Sequence, residues 1–124
     1  DLVVVAVDRP AARLLAHAHA TEWVDLRCGG DGYMTLDDET EPRLVTLMTP
    51  ADQQPASCQQ ESAVENGNIE MGYALAAAHG AQWVVQRLRR VLGEPTRAPP
   101  ARMYSLTFGE LQFPAPTPVI GGEA

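Results

Sequence analysis

Between Asn66 and Leu92, small and apolar residues recur at steps of three and four. They are Ile69, Gly72, Tyr73, Ala76, Gly80, Trp83, Val84, Leu88 and Val91, with Arg87 the one charged member of the series. That spacing places them on one face of an amphipathic helix and predicts that this helix carries the core. Arg87 fits such a face if its stem lies along apolar surface and its charge reaches water. Two parses remain open. The helix runs through Gly80, at a cost of ~1 kcal/mol for each internal glycine. Otherwise Gly80 ends it in a left-handed cap and Gln82–Gln86 forms a short strand.

The rest of the chain is assigned around this element. Leu2–Val7 is a continuous apolar run rich in valine, the signature of a central strand covered on both faces. Asp8-Arg9-Pro10 reads as a helix start, with Asp8 as the cap, and predicts a first helix from Pro10 to about Glu22. Trp23–Cys28 alternates, Gly29-Gly30-Asp31-Gly32 turns, and Tyr33–Leu36 returns as a hairpin strand. Asp37–Pro42 is expected to be a charged loop and Arg43–Thr49 a further strand, closed by Pro50. Residues 51–61 are polar and without period. Ser62 to Glu65 matches a capping box, and Asn68 is a second candidate cap for the long helix. Met103–Phe108 is expected as the last strand, with Gly109–Phe113 continuing it past a bend.

The expected order is β-α-β-β-β-α-β. It predicts an α+β domain over residues 1–113, with a mainly antiparallel sheet and two helices packed on one face, as in a ferredoxin-like or related sandwich. Residues 114–124, rich in Pro and Gly, are expected to form a tail.

The net charge of -7 argues against nucleic acid and anionic membranes as partners, and suits solubility or a basic protein partner. All nine cationic residues are arginine. With abundant Ala, Gly and Pro, this points to a bacterial source with a GC-rich genome. The absence of lysine excludes Schiff-base chemistry on lysine and a P-loop. Cys28 and Cys58 are too few for a zinc site and lack CxxC spacing; they form one disulfide or remain two thiols. No apolar run is long enough to span a membrane. No signal peptide is visible and the first residue is Asp1, which leaves localisation open, with the cytoplasm favoured over export.

Few residues suggest chemistry. His17 and His19 point about 200° apart on a helix and cannot share a metal. Cys58 and His79 form a nucleophile–base pair only if the fold brings them together. Gly29–Gly32 lacks the strand-to-helix setting of a phosphate loop. Asp37, Asp38, Glu39 and Glu41 are too irregular for a calcium loop but make an acidic binding surface. No metal and no cofactor is called for.

Glu70 is the candidate catalytic residue. Asn68-Ile69-Glu70-Met71-Gly72-Tyr73-Ala74-Leu75-Ala76 resembles the glutamate helix of the nucleoside 2-deoxyribosyltransferase-like and TIR-like families, with Gly80 and Trp83-Val84-Val85 in the places of a following glycine and β-run. The resemblance covers about 20 of the 124 residues. It implies that Glu70 acts at an N-glycosidic bond and that Asp8 binds the ribose. It departs where Glu65-Asn66-Gly67 precedes the helix.

The expectation is therefore a small acidic binding module without catalysis. Asp37, Asp38, Glu39 and Glu41, with Asp8, would engage a basic protein or a small ligand. The alternative is an N-glycoside-cleaving enzyme built on Glu70. Self-association is left open.

Overall fold

In a computed structural model, which describes residues 1–55 and 57–113, the chain forms five strands and three helices. They are β1 (Leu2–Val5), α1 (Pro10–His19), β2 (Glu22–Gly29), β3 (Gly32–Asp37), α2 (Pro42–Leu47), α3 (Gly72–Val91), β4 (Arg102–Ser105) and β5 (Gly109–Gln112). The expected tail at 114–124 lies outside the described residues.

The fold is α+β, with one five-stranded mixed sheet in the order β1-β2-β3-β4-β5. Only the β1–β2 pair is parallel; the remaining pairs are antiparallel. Neighbouring strands are consecutive in sequence, so β1, expected as a central strand, is an edge strand with Val4 exposed. No strand is inserted between β1 and β2, which separates this sheet from the split βαβ arrangement of a ferredoxin-like fold.

The helices lie on opposite faces rather than on one. Alternation along β2 puts Trp23, Asp25 and Arg27 on one side and Val24, Leu26 and Cys28 on the other. α1 covers the first set: His17 stacks on Trp23, and Arg13 binds Asp25. The end of α2 joins this side, where Arg27 donates to the Met48 carbonyl and to Thr49 Oγ1. α3 covers the second side. Gly80 packs on Leu26, Trp83 Nε1 donates to Asp37 Oδ2 at 3.1 Å, and His79 lies 3.2 Å from Thr35 Oγ1. The right-handed βαβ crossover fixes where α1 lies. The long connection after β3 is free to carry α3 to the other side.

The long helix is continuous, so Gln82–Gln86 is helical. It begins at Gly72, later than its apolar rhythm suggested. Residues 61–67 form turns instead, with Ser62 at φ 65, and the backbone N–H of Asn68 donates to Ala63 O at 2.8 Å. Neither Ser62 nor Asn68 caps the helix.

The glycines that seemed costly explain the packing. Gly72 N donates to Gly30 O at 3.0 Å, and a Cβ at position 72 would collide with the carbonyls of Gly30 and Gly32. A Cβ at position 80 would lie 2.5 Å from Leu26 Cδ1. With Ala76 between them, these residues bring the helix backbone close to the sheet. Conformational cost in the helix is offset by close contact.

The strand expected at Arg43–Thr49 is instead helix α2. Pro42 occupies its first turn, and Glu41 caps it by accepting from Leu44 N at 3.1 Å. A carboxylate followed by proline is a helix-start signal, and here it outweighs the β propensity of Val45 and Thr46. β5 does not continue β4. Residues 106–108 turn, Gly109 takes φ 89, and β5 returns antiparallel to β4. α1 ends at His19, and its N-cap is Arg9, without a side-chain hydrogen bond, so Asp8 does not cap it. No helix among the described residues is long and apolar enough to cross a membrane.

Candidate functional site

β1 pairs with β2 only as far as Val5 opposite Asp25, whereas β2 runs on to Gly29. Past Val5 the chain turns toward α1. This leaves a notch between the edge of β2, the start of α1, the first two turns of α3 and the polar connection before α3. The notch is a cavity of about 450 Å³. Leu26, Tyr73, Ala76 and Ala77 give it an apolar wall. Asp8, Arg13, Arg27, Gln53 and Gln54 give it a polar side, and Cys28 and Cys58 both line it. It lies outside the carboxyl end of β1, the position that open α/β sheets use for ligands.

A buried charge cluster supports the polar side. The Asp25 side chain is inaccessible to solvent and receives Arg13, Arg27 at 2.9 Å and His17 Nε2 at 2.9 Å. Arg13 also donates to the Val7 carbonyl, tying the end of β1 to α1. Burial lowers the pKa of Arg13 against the opposing pull of Asp25, and lowers that of His17 in the same way. The His17 ring lies between Asp25 and Trp23, and His19 on the same helix is exposed.

Of the expected site residues, Asp8 alone borders this cavity. Glu70 lies immediately before the α3 N-cap, Met71. The Gln59 side chain brackets its backbone, donating to Glu70 O at 2.8 Å and accepting from Glu70 N at 2.9 Å. Its carboxylate accepts from Gln60 N at 3.4 Å and stands over Gly30. In this arrangement Glu70 ties two parts of the connection together, while the backbone bonds of Cys58 and Gly72 to Gly30 fasten it to the hairpin turn.

The acidic run is used internally. Asp37 accepts from Trp83 Nε1, Glu39 N and Thr40 Oγ1. Burial raises its pKa despite the Trp83 and Glu39 bonds. Asp38 accepts from Trp23 N at 3.2 Å and, with Glu39 and Glu22, surrounds Arg87. Arg90 also pairs with Glu39, and Glu41 caps α2. The charge that seemed to face a partner thus closes one end of the core. Among the described residues, no cluster of three or more His, Cys, Asp or Glu side chains could hold a metal ion.

His79 does not meet Cys58. It sits between Tyr33 Oη at 3.4 Å and Thr35 Oγ1 at 3.2 Å. Burial first, and Arg102 second, lower its pKa from 6.5 to about 4. The unfolded chain therefore binds this proton more readily than the folded one. The stability owed to neutral His79 is fully present above the ordinary value and is lost as pH falls from about 6.5 to about 4. The loss amounts to about 2–3 kcal/mol. Denaturant unfolding of the native chain beside His79→Gln, followed from pH 7 to pH 4, checks this: the difference in stability between the two narrows across that window.

The sequence does not single out Arg13, Asp25 and Arg27, and it offers Tyr73 as a core-facing residue rather than as a cavity wall. One signal was present: Asp25 and Arg27 share the face of β2 that begins with Trp23, and ions on a tryptophan-bearing face imply a buried pair. Neither protein-family models, nor curated proteins, nor solved structures gave a match to this chain.

Proposed function

We propose that this domain is a non-catalytic binding module whose ligand is a small zwitterion with an apolar body, of the size of an apolar α-amino acid. The cavity beside β1 carries this reading. Arg13, Arg27 and Asp8 line it, and Asp25, buried behind the two arginines and not itself part of the lining, completes a formal charge balance. That balance disfavours a strong anion or cation and suits a ligand bearing both signs. Asp8, exposed at the rim, is placed to take an ammonium group. The two guanidinium groups already serve Asp25 and the Val7 and Met48 carbonyls, so a ligand carboxylate would be taken by their remaining N–H groups rather than by a free fork. Leu26, Tyr73, Ala76 and Ala77 would cover the apolar body. Catalysis at Glu70 has no comparable support, because Glu70 does not line the cavity. Docking of a basic protein on Asp37, Asp38, Glu39 and Glu41 loses its motivation, because those carboxylates are already engaged.

Thermal unfolding of the chain with a panel of apolar α-amino acids, and with their decarboxylated and deaminated analogues, tests the proposal. A ligand at a hundredfold excess over Kd stabilises the fold by about 2.7 kcal/mol, enough to raise Tm by several degrees. The zwitterions should raise Tm, their single-charge analogues should do less, and Ala77→Trp, which fills the cavity from an exposed helix position, should abolish the effect. Equal shifts for native chain and Ala77→Trp, or none with any zwitterion at millimolar concentration, would rule this site out.

A further inference from the structure

Cys28 and Cys58 lie far apart in sequence but border the same cavity, one on the sheet and one on the connection before α3. The backbone holds them in register. Gly30, two residues beyond Cys28, donates its N–H to the Cys58 carbonyl at 2.9 Å. The adjacent Gln59 and Gln60 fasten this part of the connection to Glu70. Both cysteines are free thiols, Cys58 exposed and Cys28 partly buried. We propose that Cys28 and Cys58 are a reversible dithiol–disulfide pair that locks the connection onto β2 across the mouth of the cavity.

The asymmetry between the thiols gives the order of events. The co-reactant is a low-molecular-weight disulfide such as oxidised glutathione. The exposed Cys58 thiolate attacks one sulfur of that disulfide; a Cys58–glutathione bond forms, and one glutathione thiolate leaves. Cys28 loses its proton to solvent, and its thiolate attacks Cys58 Sγ. The Cys28–Cys58 bond forms and the second glutathione thiolate leaves. Two protein thiols are oxidised and one external disulfide is reduced to two thiols. Burial raises the Cys28 pKa, and the neighbouring Cys58 thiol adds to the rise. Cys28 is thereby suited to be the resolving thiol, since it is less reactive toward outside reagents and close to its partner.

The bond does not depend on what the cavity binds, so its test is separate from that of the ligand. The native chain, Cys28→Ser and Cys58→Ser are incubated with oxidised glutathione and analysed by intact mass and non-reducing peptide mapping. The native chain should lose two hydrogens, give a Cys28–Cys58 cross-linked peptide and carry no glutathione. Cys28→Ser should keep one glutathione on Cys58, and Cys58→Ser should react much more slowly. Oxidation should also slow cleavage by a glutamate-specific protease after the exposed Glu61 about tenfold, reversed by dithiothreitol, because cleavage tracks local opening. A native chain that retains glutathione on Cys58, or forms only intermolecular disulfides, overturns the proposal.

Discussion

Replacing Arg87 with methionine should destabilise the fold by about 3–5 kcal/mol, the usual consequence of removing one side of a buried ion pair. The arginine is 1% exposed. Its Nη1 donates to Glu22 Oε1 at 3.1 Å and Asp38 Oδ2 at 3.2 Å, and its guanidinium lies 4.4 Å from the Trp83 ring centroid. Asp37 and Glu39 stand within 3.9 and 3.4 Å of Nη2. Burial opposes its charge, but Asp38, Glu39 and Glu22 outweigh burial and raise its pKa. Methionine keeps much of the stem, leaves Glu22 and Glu39 with Arg90, and removes the cation beside Asp37 and Asp38. Arg87→Lys should recover part of the loss, since it restores charge without the planar fork or the ring stacking. Chemical denaturation followed by the fluorescence of Trp23 and Trp83 measures both. A loss below about 1 kcal/mol for methionine would mean that the network is no stronger than a surface pair.

The same residue shows how far the sequence could be read. The three-four rhythm places Gly72, Ala76, Gly80, Trp83 and Arg87 on the buried face of α3, but it also puts Ile69, Tyr73, Leu88 and Val91 there, which are exposed, and it omits the buried His79. It could not show that Arg87 is paired rather than wet, because its partners come from β2 and the turn after β3. The start of α3 was misread for a related reason. Residues 62–68 offer local capping chemistry, but Gly72 must dock on the Gly30–Gly32 turn, and that long-range constraint sets the first helical residue. At Arg43–Thr49 the conflict is local: β propensity predicts a strand, and the helix-start signal of Glu41-Pro42 outweighs it. The acidic run was legible as charge but not as function, because its partners stand on α3. The cavity was hidden because it results from an offset: β1 stops four residues before the end of β2, and the gap is edged by segments distant in sequence.

Asp25 is where that offset depends on a single side chain. Asp25→Ala should cost about 3–5 kcal/mol, because Arg13 and Arg27 would remain buried with no counter-ion. The carboxylate is the shared acceptor of Arg13, Arg27 and His17 and is wholly buried. Asp25→Asn keeps size and one acceptor, but offers N–H groups toward cations and should recover only a small part of the stability. Removing a cation together with the anion separates the contributions. The Asp25→Asn, Arg13→Met double variant should be more stable than the sum of the two single losses predicts, since neither leaves the other uncompensated. Salt should not rescue Asp25→Ala, because buried charges are poorly screened. The measurements are denaturant midpoints of five chains (native, Asp25→Ala, Asp25→Asn, Arg13→Met and the double variant), with and without added salt. Strict additivity in the double variant would show that Asp25 and Arg13 act independently. The Arg13–Asp25 contact would then not be what holds the polar side of the cavity, and that role would fall to Arg27, which binds Asp25, the Met48 carbonyl and Thr49.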